Sequence, residues 1–523
     1  MIKRLCLLSA CLVLVVNSNA QLDIIWQRSI GGTDVDGSGF VFAGSSSFKV
    51  FINAKSTDGD FAQSKGGGDT WIMDFDFNGN ELSKTCVGGT GRDYVNSVVK
   101  NPIGEGYYMA VNTSSSDGDF ALPSGSTGLF ISQINNQNQI VKNIWLNGVD
   151  SGYISHIYCT QDGHILASGW GKDKQGLVDT SFNNSFDAFL LNFDTAGTLL
   201  WKRIYGAEDY DQGNSIIETG NGTYLWGISS YSDGFPFTAP NYDNTSVYYF
   251  ELDTNGVEVS SFGFNADSGR VGLVDVSYIG ENSFLAINSI QNNVGNDVLP
   301  NPCAFSRSCW IVSFNLQGDI IWRRTMGGYG DDYATGFILL KDSSLVFSAI
   351  STSSNCDVPD NGGGDDYWLF KLDKYGNTIW SQTFGGSFRD EAYHLAELSP
   401  GKYVVVGATD SYDKDVLFNH NPSGAYADAW ILILSDTSIT STNNLKFGKT
   451  ITLHPNPTPT HITISGAAPN STATITNLHG QVVLQSEIRN PQSQISVEAL
   501  PAGLYFCILQ SGQERKVLRF VKQ

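Results

Sequence analysis

The residues with the most evident chemical capacity are carboxylates that return at one place in a repeated phrase. Asp36, Asp93, Asp211, Asp332 and Asp390 each follow the second of two small, mostly glycine, positions by four residues. Asp58-Gly59-Asp60 and Asp117-Gly118-Asp119 add paired acids further along the same units, as do Asp413 and Asp415, and a second column holds Asp69, Asp187, Asp366 and Asp428. Carboxylates with neighbouring carbonyls suit a hard cation such as Ca²⁺. They also suit a cationic or hydroxyl-rich ligand such as a glycan, and two of them at the right separation hydrolyse glycosides. The competing role is structural, because Asp caps backbone N–H groups in tight turns, and a residue that recurs in every repeat more often maintains the repeat. No loop matches the D-x-[DN]-x-[DN]-G calcium pattern. His156, His164, His394 and His420 are scattered without metal-ligand spacing, and no G-x-S-x-G or Cys/His arrangement stands out, so no catalytic residue is assigned.

The elements that position these acids follow from the period. Trp71, Phe130, Phe189, Tyr248, Trp310, Trp368 and Trp430 recur at spacings of 58 to 62 residues. Each unit reads as three apolar runs, with a long loop after the second, and then a D-x-x-G turn into a fourth, as in Asp373–Gly376 before NTIWSQTF. Four-stranded antiparallel units at such a period resemble the blades of a β-propeller. The seventh unit has three runs and stops near Asp436, while DIIWQRSI at Asp23–Ile30 supplies a lone fourth run. Pairing the two closes a ring without open sheet edges. The expected fold over residues 21–436 is therefore all-β, a seven-bladed β-propeller with a mixed closing blade. The handover loop between blades and the long loop share one face, so the acids concentrate there.

Composition bounds the partners. The chain carries 52 acidic against 31 basic residues, a formal charge of −21, which repels nucleic acid and anionic membrane. Lys3, Arg4, the apolar stretch Leu5–Val16 and Ser18-Asn19-Ala20 read as a signal peptide over residues 1–20. No later stretch has the length of an apolar membrane span, and a monomer is expected. Cys303 and Cys309 lie close in one loop and form the expected disulfide after export.

A Ser/Thr/Asn-rich linker, residues 437–448, precedes a compositional change at residues 449–523. There LHPNPTPTHITI (with Pro455, Asn456 and Pro457) is followed by NLHGQVV with Gly480, then LPAGLYFCIL with Pro501, Gly503 and Tyr505, and a basic final strand with Lys516. These motifs, in this order, resemble the type A C-terminal sorting domain of the type IX secretion system. His454 and Asn477 stand where that family often has Tyr and Asp. The resemblance implies a small β-sandwich that engages the type IX secretion machinery of a Bacteroidota-type bacterium and leaves its cargo secreted or attached to the cell surface. For the propeller, binding, adhesion or scaffolding is expected, with a glycan or protein as ligand. A polysaccharide hydrolase or lyase is the alternative.

Overall fold

The computed structural model describes residues 22–437 and 452–523, apart from 123–127, 148–150, 173–184, 233–245, 265–270, 292–296, 299–300, 302, 304–305, 422–423, 466–470, 478–481, 489–491 and 512–513. The expected signal peptide, nearly all of the linker, and Gly480 lie outside the described residues. Two compact units divide between Asp436 and Thr437.

The first unit is built from seven four-stranded antiparallel sheets. Blade one runs Asp36–Ala43, Ser47–Ala54, Asp69–Asp76 and Glu81–Val87, and five further blades repeat that meander in sequence order. The innermost strand of each blade packs against the blade before it. Asp36–Ala43 packs in turn against the first three strands of blade seven, Asp390–Ser399, Lys402–Thr409 and Asp428–Asp436, so the sheets form a closed ring. The fourth strand of blade seven is the N-terminal segment Leu22–Ile30, which pairs antiparallel with Asp428–Asp436 from Leu22↔Asp436 to Ile30↔Ala429. The propeller with a mixed closing blade is thus present as expected from the two half-phrases.

Local chemistry explains why the sequence folds this way. In the outer turn of blade six, Asp373 accepts the N–H groups of Tyr375 and Asn377, both at 2.9 Å. Gly376 adopts φ +83°, a conformation costly for a residue with a Cβ. The indole of Trp322, from blade five, covers that glycine, where an added Cβ would meet the ring at 2.8 Å, and its Nε1 donates to the Lys374 carbonyl at 3.1 Å. Trp201 and Trp26 cover Gly256 and Gly79 in the same way. The repeated aromatic column is core: Trp310, Trp368 and Trp430 have no exposed surface. Every third strand is apolar on both sides because neighbouring blades cover both of its faces.

The expected Cys303–Cys309 disulfide does not form; Cys303 bonds Cys356 instead. Cys309 lies within the strand Arg307–Phe314, fully buried and paired with Ser289 and Met326, so its thiol is committed to the core. Cys356 belongs to the long loop of blade six, and the bond therefore links blades five and six.

The second unit has two sheets. One orders Thr452–His454, His461–Ser465 and Gln492–Ser496; the other orders Val482–Ile488, Ser471–Thr476, Gly503–Ser511 and Glu514–Lys522. Both contribute to one core containing Ile462, Ile464, Ile475, Ile495, Tyr505, Cys507 and Phe520, which makes this a β-sandwich. Its sequence motifs interlock. Asn456, between Pro455 and Pro457, donates to the Arg519 carbonyl at 3.1 Å and accepts the Val521 N–H at 2.9 Å. Tyr505 stacks on Phe520 with centroids 5.6 Å apart and donates to the Pro501 carbonyl at 2.9 Å. Gly503 opens the strand that carries Tyr505.

Candidate functional site: the handover face of the propeller

The acid columns that the sequence singles out are internal. Asp36, Asp93, Asp211, Asp332 and Asp390 have no exposed surface, which corrects the expectation that they face a ligand. Each begins an innermost strand and accepts hydrogen bonds from its own blade. Asp390 takes the Gly386 N–H at 2.7 Å, the Ser411 hydroxyl at 2.8 Å and the Thr409 hydroxyl. Asp332 repeats the set with Gly328, Ser353 and Ser351, Asp211 with Ala207, Ser232 and Ser230, and Asp93 with Gly89, Ser115 and Thr113. In blade one the backbone N–H groups of Lys55 and Ser56 also donate to Asp36, each at 3.0 Å.

The paired acids form a second device. Asp58 accepts the Thr33 N–H at 2.8 Å and Asp60 the Gly31 N–H at 3.1 Å, while Gly59 between them adopts φ +57°. Asp117 and Asp119 hold Thr90 and Gly88 likewise, and Asp413 and Asp415 hold Ser387 and Gly385. Asn355-Cys356-Asp357 is a fourth copy, holding Tyr329 and Gly327. It was hidden in the sequence by Asn and Cys in place of Asp and Gly. These acids clamp the two-glycine handover loop, and Asp117 and Asp415 remain exposed to solvent while doing so. Among the described residues, no group of three or more His, Cys, Asp or Glu side chains is placed to hold a metal ion.

The second column, Asp69, Asp187, Asp366 and Asp428, is equally buried, and each carries one oxygen without a hydrogen-bond partner. In Asp69, Asp366 and Asp428 that oxygen lies toward the handover glycine; an added Cβ on Gly385 would fall 2.3 Å from Asp366 Oδ1 and 2.8 Å from Asp390 Oδ2. The two columns thus meet in pairs at the blade junctions. Burial pushes the Asp187 and Asp366 carboxyls up to about 7, with a neighbouring carboxylate adding to it. Burial likewise raises Asp36, Asp211 and Asp390 to about 6. Where the folded pKa lies above the unfolded one, the native state binds more protons, and stability is lost as pH rises through the window from about 4 to 7. Turn acids such as Asp76, Asp194 and Asp413 shift the opposite way and lose their contribution as pH falls below about 4. The melting temperature is therefore expected to peak near pH 5 and to fall by about 5 °C or more at pH 8. Scanning calorimetry across that range checks this, and a curve that rises steadily to pH 8 contradicts it.

What the face presents to solvent is set by the positions beside the caps, and these differ between junctions. The carbonyls that accept the N–H groups of Asp93, Asp211, Asp390 and Asp36 belong to Gly68, Phe186, Asp365 and Ala427 respectively. The residue before each cap is Val35, Arg92, Tyr210, Asp331 or Arg389, and its carbonyl accepts the N–H of Lys55, Ser114, Tyr231, Thr352 or Asp410 respectively. Two junctions depart from the rest. Between blades six and seven, Arg389 pairs with Asp410 at 3.2 Å and with Glu391 at 3.9 Å, and Tyr393 donates to Glu391. Burial and the nearby Glu391 raise Asp365, and burial raises Asp410 despite Arg389. Phe388 and Tyr412, rings 5.6 Å apart and 39% and 45% exposed, stand alongside. Between blades three and four the same positions are aromatic: Tyr153, Trp170, Phe186, Tyr210 and Tyr231 form one connected cluster.

The chain is thus a seven-bladed propeller followed by a β-sandwich. Residues 452–523 match the family of secretion system C-terminal sorting domains. The chain therefore carries the tail that directs proteins through type IX secretion to the cell surface or beyond it in Bacteroidota-type bacteria. No helix among the described residues is long and apolar enough to cross a membrane. No curated protein matches the chain. Among solved structures, it is similar to BBS1N from a complex with ARL6DN, at 10% identity over 82% of this chain and 100% of that one (TM-score 0.43). It is also similar to the parainfluenza virus 5 hemagglutinin-neuraminidase ectodomain, at 11% identity over 80% and 85% (TM-score 0.37). A third is PorZ, a surface component of the type-IX secretion system of Porphyromonas gingivalis, at 9% identity over 95% and 100% (TM-score 0.17).

Proposed function

We propose that this is an exported binding propeller, displayed on or released from the cell surface, which holds its ligand on the handover face. The observation that carries this reading is the division of labour there. The repeated acids are spent on capping and clamping the backbone, whereas the solvent-facing positions beside them are individual to each junction. A surface kept only for folding needs no such difference. The mature full-length chain should bind components of a panel of polysaccharides and extracellular matrix proteins, tested with and without Ca²⁺. Exchange of Arg389 and Glu391 for Ala, or of Tyr210 and Tyr231, should weaken that binding about tenfold or more. Tyr375→Ala, 67% exposed on the opposite face, should not. Loss through Tyr375 alone would overturn the assignment.

Glycoside hydrolysis is the second reading. It is favoured by Asp365 and Asp410, both raised above the usual carboxylate range beside Glu391, since such sites need one protonated and one ionised acid. Release of reducing ends from a bound polysaccharide, abolished by Glu391→Gln, would establish it.

A further inference from the structure

The five rings between blades three and four stand out against the rest of the propeller, where aromatic side chains are mostly core. Tyr153 lies on the innermost strand of blade three directly opposite Trp170 on the second strand, their rings stacked at 5.8 Å and 15°. Phe186 meets Trp170 edge-on at 5.1 Å, and Tyr210, from the handover loop, contacts both at 5.6 Å. Tyr231 extends the row at 6.3 Å from Tyr210. None of the five is fully buried, and Tyr231 is 41% exposed. Tyr231 presents its ring to water and the other four are only partly covered, so the cluster is a surface feature and not part of the closed core.

We propose that this cluster is a carbohydrate-stacking site that takes the flat C–H faces of neutral sugar rings in an extracellular glycan. The inference rests on the binding reading above and names the ligand class. Its first support is the pairing of flat faces with polar rims. The Gln212 amide donates to the Tyr210 hydroxyl at 2.9 Å, so an amide and the tyrosine hydroxyls border the apolar surface, as a pyranose with apolar faces and hydroxyl edges requires. Its second support is that one ring of the cluster already has a cation beside it. The chain's own Lys172 ammonium already stands 5.7 Å from the centre of the Phe186 ring.

The test uses the mature full-length protein and isothermal titration with neutral probes, a β-glucan, a mannan and a xylan, alongside choline as a cationic probe. At least one neutral polysaccharide should bind. Tyr231→Ala and Tyr210→Ala should each weaken it about five- to tenfold, and Trp170→Ala more, with Trp170→Phe restoring most of the loss. Tyr231 is the decisive position, because its ring is exposed and its removal leaves the core intact, which an unchanged melting temperature verifies. Glycan binding lost through Arg389 and Glu391 but unchanged in the ring variants would overturn the inference while leaving the binding face intact. Choline binding at the rings, or no neutral glycan binding by a protein that binds a matrix protein through the same face, would overturn it as well. No binding of any probe on this face would remove the binding reading itself.

Discussion

Deletion of Leu22–Ile30 should abolish the cooperative thermal transition of the propeller, or lower its midpoint by about 15 °C or more, and drive the protein into oligomers. The strand supplies the fourth member of blade seven, and without it Asp428–Asp436 becomes an open edge. Ala429, Trp430, Ile431, Leu432, Ile433 and Leu434 on that edge have no exposed surface in the closed ring. An open apolar edge of this kind recruits other chains. Burial of Leu22 and Ile30 alone contributes about 3–6 kcal/mol. The segment also holds both neighbours: the Gln382 amide in blade six bonds the N–H and carbonyl of Leu22, and Trp26 covers Gly79 in blade one. Calorimetry with size-exclusion chromatography decides the matter. A permuted chain carrying the strand after Asp436 should recover the parent's behaviour, and a deletion that melts within about 2 °C of the parent would refute the clasp.

The second large effect concerns the buried caps. Asp390→Ala leaves the Gly386 N–H and the Thr409 and Ser411 hydroxyls without their acceptor in a site closed to water. Each buried donor without a partner costs about 1–3 kcal/mol, so a loss of about 3 kcal/mol or more is expected. Asp390→Asn should cost less at pH 8, because it keeps an acceptor and removes a charge beside Asp366. Urea titrations of the two variants measure the difference. The result also separates cap from ligand contact. A variant with parental stability but lost glycan binding would return Asp390 to the ligand face.

Much of the architecture was legible because a propeller states its plan repeatedly. One aromatic position or one D-x-x-G turn is weak evidence, but an aromatic residue recurring seven times in register, with the turn in several of the units, is not explained by chance. The half-phrases at the two ends then left closure as the economical solution. The site was less legible, for a physical reason. A capping carboxylate and a ligand carboxylate are the same residue in sequence, and only burial separates them. The repeat signal therefore drew attention to Asp36 and its equivalents, which are structural, and away from the positions beside them, which vary. The aromatic cluster was invisible because Tyr153, Trp170, Phe186, Tyr210 and Tyr231 come from two blades and meet only through folding. The disulfide failed likewise: nearness along the chain favoured Cys309, whereas strand direction sends its thiol inward and brings Cys356, 53 residues away, to Cys303.

The order of parts along the chain turns closure into a completeness check on export. The strand that accepts Leu22–Ile30 is the last of the propeller, and the sorting domain follows it. Synthesis runs from the N-terminus, so a chain that terminates before blade seven cannot close its ring and also lacks its address for secretion. Every chain that bears the address has already made all seven blades. Unfinished propellers, with their adhesive open edges, are withheld from the surface by the layout of the gene product itself.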